Sequence, residues 1–239
     1  MTFKQTYILL IASIFISKIY GQTVKSSNKT YSDFNIEIDT IIEKCNPKIL
    51  DFSRHQLFID TTRTFEYYDK VENSNPFNSE DIKTISNEYL KVLHSDTQFQ
   101  VFNFQNFPRL WIPLKKYQGN FILYDRCDGS ETYYGITDSL LYIFGVHEFD
   151  LRKIKNVKML NNNEVEIELE KYKNDKNTIP LTLKIQMTSN KDIYTLTTNL
   201  FGDITTINVI PNFNVRNFNV LVNHCPINKV IEFDNKLEK

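Results

Sequence analysis

From Glu164 to Glu170 the chain reads Glu-Val-Glu-Ile-Glu-Leu-Glu, an unbroken alternation of acidic and branched apolar residues. Successive side chains of a strand point to opposite faces, so a period of two buries Val165, Ile167 and Leu169 and leaves the acids in water. On a helix the same residues would scatter around the whole surface. Leu181, Leu183, Ile185 and Met187 repeat the device, and Asn174-Asp-Lys-Asn177 supplies turn formers between the two runs. Further turn signals stand at Asp128-Gly129, Asn161-Asn-Asn163 and Ser189-Asn190. Such short links favour antiparallel neighbours.

Strand-like runs recur along residues 120–124, 132–136, 140–144, 154–160, 164–172, 181–187, 193–200, 205–210 and 218–222. Their spacing is that of all-β sandwiches and barrels. Upstream, Phe99, Val101 and Asn103 alternate with Gln98, Gln100, Phe102 and Phe104, which reads as a strand covered on both faces. Phe107 to Pro113 reads as an irregular aromatic connection. The sole alanine is Ala12, while Phe, Tyr, Ile, Val and Thr abound, so the composition disfavours extensive helix.

Two helices are expected all the same. Ile38, Ile41, Ile42 and Cys45 recur at helical spacing before Pro47. Ser79 caps a run from Glu80 to Leu93 whose stripe is Ile82, Ile85, Tyr89, Val92 and Leu93. The segment from Leu57 to Tyr68 is ambiguous between helix and strand. The expected fold is all-β or β-dominated α+β, an antiparallel meander barrel or sandwich with one or two N-terminal helices. The expected division is an export signal over 1–21, an arm and helical segment over 22–97 packing on the sheet, and an antiparallel β domain over 98–239.

The export signal is read from Lys4, the ten apolar residues Tyr7 to Ile16, and the exit Ser17-Lys-Ile-Tyr-Gly21. Cleavage after Gly21 would leave Gln22 first, with no transmembrane anchor, and an exported protein, secreted or periplasmic. It would also remove Lys4 and Lys18, leaving 26 basic against 29 acidic side chains, a net of −3. That balance, with no basic run interleaved with aromatics, argues against a nucleic-acid partner.

The stretches Gly119-Asn-Phe-Ile-Leu-Tyr124, Tyr134-Gly-Ile-Thr-Asp-Ser-Leu-Leu141 and Leu221-Val-Asn-His-Cys-Pro226 sit in this meander of amphipathic strands. By that pattern, residues 98–226 resemble the lipocalin-like (calycin) β-barrel proteins. The lipocalin Gly-x-Trp is not there, because Arg109 stands two places before Trp111. No lipocalin ligand residue is therefore carried over.

The remaining candidates are few. Phe99, Val101, Phe102, Phe104 and Trp111 are dense enough in aromatics to line an apolar ligand cavity. Cys127 and Cys225 stand at strand ends and are the candidate disulfide, with Cys45 as the third thiol. His147, Glu148 and Asp150 lie close together but lack the second His of a zincin helix. Asp125, Asp128 and Glu131 surround a turn without EF-hand spacing. His224-Cys225 is poorly placed for in-line proton transfer. No catalytic, metal or cofactor residue is assigned on these patterns. The expected function is non-enzymatic, either a binder of an apolar small molecule or a structural envelope component. The rival is a hydrolase whose site gathers sequence-distant residues, with two or more of His55, His94, His147 and His224 meeting carboxylates.

Overall fold

The computed structural model describes the backbone of residues 42–45 and 149 and, with side chains, residues 56–74, 100–127, 131–145, 150–172, 179–200 and 202–224. Of these residues 55% lie in strands and 10% in helices, so the fold is β-dominated.

Strands β1 (Ile42–Cys45) and β2 (Gln56–Asp60) precede helix α1 (Glu66–Glu72). Ten strands follow: β3 (Leu110–Tyr117), β4 (Asn120–Asp125), β5 (Tyr133–Ile136), β6 (Leu140–Phe144), β7 (Phe149–Asn161), β8 (Glu164–Leu169), β9 (Leu181–Met187), β10 (Tyr194–Thr198), β11 (Thr205–Pro211) and β12 (Val220–His224). A 3-10 helix, Asn212–Asn217, joins β11 to β12.

Eight of these strands close on themselves. β5 to β11 form an antiparallel meander, and β3 pairs with both of its ends. Trp111–Leu114 lie opposite Pro211–Asn208 of β11, while Leu110 and Trp111 lie opposite Gly135 and Tyr134 of β5. The alternation read in the sequence explains the wall. Val165, Ile167 and Leu169 of β8 point inward with Leu181, Leu183 and Ile185 of β9. Outside, Lys184 Nζ meets Glu164 at 2.8 Å and Lys155 Nζ meets Glu168 at 2.6 Å. Strand β7 spans two partners, with Phe149–Lys153 along β6 and Ile154–Asn161 along β8, and its register shifts after Ile154.

The last residues of β3 leave the barrel. Lys115–Tyr117 pair with β4, and β4 continues through β12 and β2 to β1. β12 runs parallel to β4 and antiparallel to β2, and β1 runs parallel to β2. Pro113, which has no N–H to donate, falls where β3 changes partner and the ladder on that edge is already interrupted.

Two cores result. One fills the barrel, where Trp111 packs against Phe107 and Tyr194 at ring-centroid distances of 5.4 and 4.8 Å. The other lies on the outer side of β3. There Leu110, Ile112 and Leu114 meet Tyr67, Tyr68 and Val71 of α1, together with Leu123, Val220 and Val222 of the flanking strands.

Three expectations need correction. Residues 100–104 are not a strand: Val101 is 79% exposed, Phe102 N donates to Asp138 O, and Phe104 turns into the barrel core. Their aromatic spacing serves a plug packed on the barrel, not a pleat. The Phe107–Pro113 stretch is not wholly irregular, because β3 begins at Leu110 and pairs on both edges. Ile42 to Cys45 form a strand, not the end of a helix, because the edge of β2 offers them ladder partners that local periodicity does not reveal. The ambiguous 57–68 segment supplies both a strand and the start of a helix. The Glu80–Leu93 helix lies outside the described residues.

Burial in the second core raises the tyrosine pKa values. Loss of water pushes Tyr133 up to about 12, with the carboxylates of Asp125 and Glu131 adding to it. Tyr67 and Tyr68 also shift upward, chiefly by burial. A raised folded-state pKa means that the unfolded chain loses these protons first. The stabilisation is therefore complete below about pH 10 and is lost as pH climbs toward 12. Urea midpoints should be flat to pH 9.5 and fall by pH 11, and Tyr133→Phe should recover about 1 kcal/mol of that fall.

Candidate functional site

The lining of the candidate site begins with one carboxylate. Asp60 ends β2 with no exposed surface, and its two oxygens organise the next five residues. Oδ1 accepts from Thr62 N at 2.7 Å, Thr62 Oγ1 at 2.6 Å and Arg63 N at 3.2 Å. Oδ2 accepts from Thr64 N at 3.0 Å and Phe65 N at 2.9 Å. Asp side chains often bond the backbone just ahead of them, and here that habit builds a whole turn. It holds Arg63 at φ 61° and carries the chain into α1.

A second tie fixes the opposite wall. Arg216 of the 3-10 helix donates through Nε to Glu72 at 2.7 Å, through Nη1 to Arg63 O at 2.8 Å, and through Nη2 to Asp69. Tyr68 hydroxyl donates to Phe218 O at 2.9 Å, and Leu123 N donates to Asn219 O at 2.9 Å. Residues 217–219 are thereby held against the Asp60 turn. The third wall is the β3–β4 hairpin, whose two turn residues Gln118 and Gly119 have φ 50° and 77°, as a type I′ turn demands. Gly119 suits that conformation, and any Cβ there would be strained even though nothing lies within 4 Å of it.

Between these walls lies an open groove of about 520 Å³, whose fourth side is Asn190 and Ile193 of the β9–β10 turn. Five carboxamide residues from three segments line it: Gln118 and Asn120 of the hairpin, Asn190 of the β9–β10 turn, and Asn217 and Asn219. Its apolar surface comes from the half-buried rings of Tyr117, Phe121 and Phe218 and the buried side chains of Ile59, Ile122 and Ile193. Among the described lining residues Arg63 brings the one formal charge, and its Nη2 lies 3.5 Å from Asn217 O. The groove therefore offers uncharged donors and acceptors beside aromatic faces.

The residues singled out in the sequence lie elsewhere. Trp111 and Phe104 are fully buried in the barrel core, and Trp111 Nε1 donates to Pro108 O at 3.1 Å. Phe102 packs on that core half-buried, and Val101 faces solvent. Phe99 lies outside the described residues. Asp150 is engaged by Arg152 Nε at 2.9 Å and by the Tyr172 hydroxyl, with the guanidinium 3.6 Å from the Tyr172 ring centre. Glu131 is buried between Lys115 and Arg126, each 3.7 Å away. His224 ends β12 opposite Gln56. His55, His94, His147, Glu148 and Asp128 lie outside the described residues. Among the described residues no group of three or more His, Cys, Asp or Glu is placed to share a metal ion.

Cys127 is disulfide-bonded. Cys225 and the side chain of Cys45 lie outside the described residues.

Comparison of the chain with protein-family models, with curated proteins and with solved structures finds no match.

The groove residues carried no signal of their own in the sequence. Asn190 reads only as part of a turn signal, Asn120 as the start of a strand-like run, and the convergence of these residues with Gln118, Asn217 and Asn219 is a property of the tertiary fold. Because the whole 61–65 turn hangs on one carboxylate, Asp60→Ala should destabilise the protein by about 3 kcal/mol or more. Chemical denaturation would measure it, and a loss under about 1 kcal/mol would show that the turn supports itself.

Proposed function

We propose that this chain is an exported, non-enzymatic binding protein that uses a lipocalin-like barrel as a rigid support and holds its ligand in the groove beside the β3–β4 hairpin. The observation that carries the reading is the groove itself. Its four walls come from distant parts of the chain, and two of them are fixed by dedicated polar ties, Asp60 and Arg216. Its volume falls within the range of small-molecule sites, which usually combine apolar surface with a few oriented polar groups. Side chains fill the barrel interior with Trp111, Tyr134 and Tyr194, which favours the outer groove over an internal one. The lining groups orient and shield a ligand; those among the described residues include no carboxylate, thiol or imidazole for acid–base or nucleophilic work.

The disulfide supports export, since such bonds persist in oxidising compartments. We infer that its partner is Cys225. Cys45 is on β1, and β1 is separated from β4 by β2 and β12. Three strand spacings amount to about 14 Å, and Cys127 lies just beyond the end of β4. A disulfide needs Cα atoms within about 7 Å. Of the three cysteines in the chain, that leaves Cys225.

Mass spectrometry of the protein from its own host should find Gln22 at the N-terminus and, without reduction, a Cys127–Cys225 peptide pair. A Cys45–Cys127 pair would contradict the strand order, and intact Met1 would remove export. For the groove, Thr61→Trp fills its mouth from an exposed position. Small molecules that raise the melting temperature of the wild-type protein in a thermal-shift screen should fail to do so in this variant. Hits that stabilise both proteins equally would place the ligand elsewhere.

A further inference from the structure

We infer that the ligand of this groove is a neutral oligosaccharide, an assignment that rests on the binding-protein reading above. A sugar presents hydroxyls that both donate and accept, around a ring whose axial C–H bonds form an apolar face. The groove has the matching surfaces. A carboxamide carries two donors and one acceptor oxygen without net charge, so it pairs with a hydroxyl in either sense. Gln118, Asn120, Asn190, Asn217 and Asn219 bring five carboxamides, and Thr61 and Tyr117 add hydroxyls. The rings of Phe121 and Phe218, both half-buried, provide flat apolar area beside them.

Several of these polar groups are set by the protein before any ligand arrives. Gln118 Nε2 donates to the Tyr117 hydroxyl at 3.0 Å, and Asn120 Nδ2 donates to Gln118 O at 3.3 Å. Asn190 Oδ1 accepts from Asp192 N at 3.1 Å. Among the described residues the carboxamides of Asn217 and Asn219 make no hydrogen bond to the protein, although the backbone that carries them is tied to Arg63, Tyr68 and Leu123. The backbone fixes where these two side chains stand, and their donors and acceptors are left for a ligand. Charge points the same way. Among the described residues the lining has no carboxylate to bind a cation, and Arg63 is its one basic group, directed at the Asn217 carbonyl. A fatty acid or other long apolar chain would leave the carboxamides desolvated without partners, a loss for each.

Isothermal titration of the full-length protein with cellotetraose, maltotetraose and tetra-N-acetylchitotetraose, and in parallel with decanoate, tests the assignment. At least one saccharide should bind, and Asn217→Ala/Asn219→Ala should weaken that binding about tenfold or more, as expected for two lost hydrogen bonds. The two side chains make no bonds within the protein, so the melting temperature of the double variant should be unchanged. Saccharide binding that the double variant leaves intact would overturn the assignment. Decanoate binding that Thr61→Trp abolishes, with no saccharide bound, would keep the groove as a ligand site and overturn the sugar class. Absence of both would overturn the class and the groove together.

Discussion

Everything in this fold depends on β3 serving two sheets. Its first residues close the barrel between β11 and β5, and its last residues open the flanking sheet through β4. A strand can do this because its two edges are independent ladders and its two faces alternate. Trp111 points into the barrel, while Leu110, Ile112 and Leu114 point out into the second core. The first five residues of β3, Leu110 to Leu114, therefore bury apolar surface on both sides, and polar side chains would be costly on either. A disruption of β3 would open the barrel and detach the flank in one event.

The second core then explains how the polar ties of the groove are brought within reach of one another. Tyr67, Tyr68 and Val71 seat α1 against the outer side of β3, which places Asp69 and Glu72 within reach of Arg216. An exposed ion pair is worth little alone, since solvent screens it and side-chain entropy opposes it. Arg216 is also tied to Arg63 O, so its value is positional: it fixes the separation between the Asp60 turn and residues 217–219. Buried apolar contacts supply the energy and the charged groups supply the geometry.

How much of this was legible in the sequence follows from which interactions are local. β9 begins and ends where its alternation begins and ends, because it has one face in the barrel and one facing outward, whereas β6 is legible as a short apolar run that is buried on both faces. β3 was hidden because both of its faces are covered and because Pro113 reads as a strand breaker. β1 could not be recovered from spacing, since its strand character comes from β2, which lies more than ten residues further on. The plug over residues 100–107 shares the aromatic content of a strand but packs side chains where a strand would pair backbone. The groove was the least legible part. Asn and Gln in turns have a sufficient local reason to be there, and nothing in the order of residues reveals that three such segments meet.

An eight-stranded barrel is only just wide enough to be filled by its own side chains. Here large ones are used, with Trp111, Tyr134 and Tyr194 inside and Phe104 and Phe107 packed among them. A barrel filled in this way gains rigidity and leaves recognition to whatever is attached outside. The flanking strands, α1 and the 3-10 helix are that attachment, and they meet the barrel at the one strand that belongs to both sheets. A groove at such a junction inherits stiffness from two cores at once. Its carboxamide residues stand in or beside turns, free of the packing demands that fix every inward residue of β8 and β9. Those turn positions can change their side chains with little effect on either core, so the chemistry of the groove can vary while the barrel beneath it stays the same.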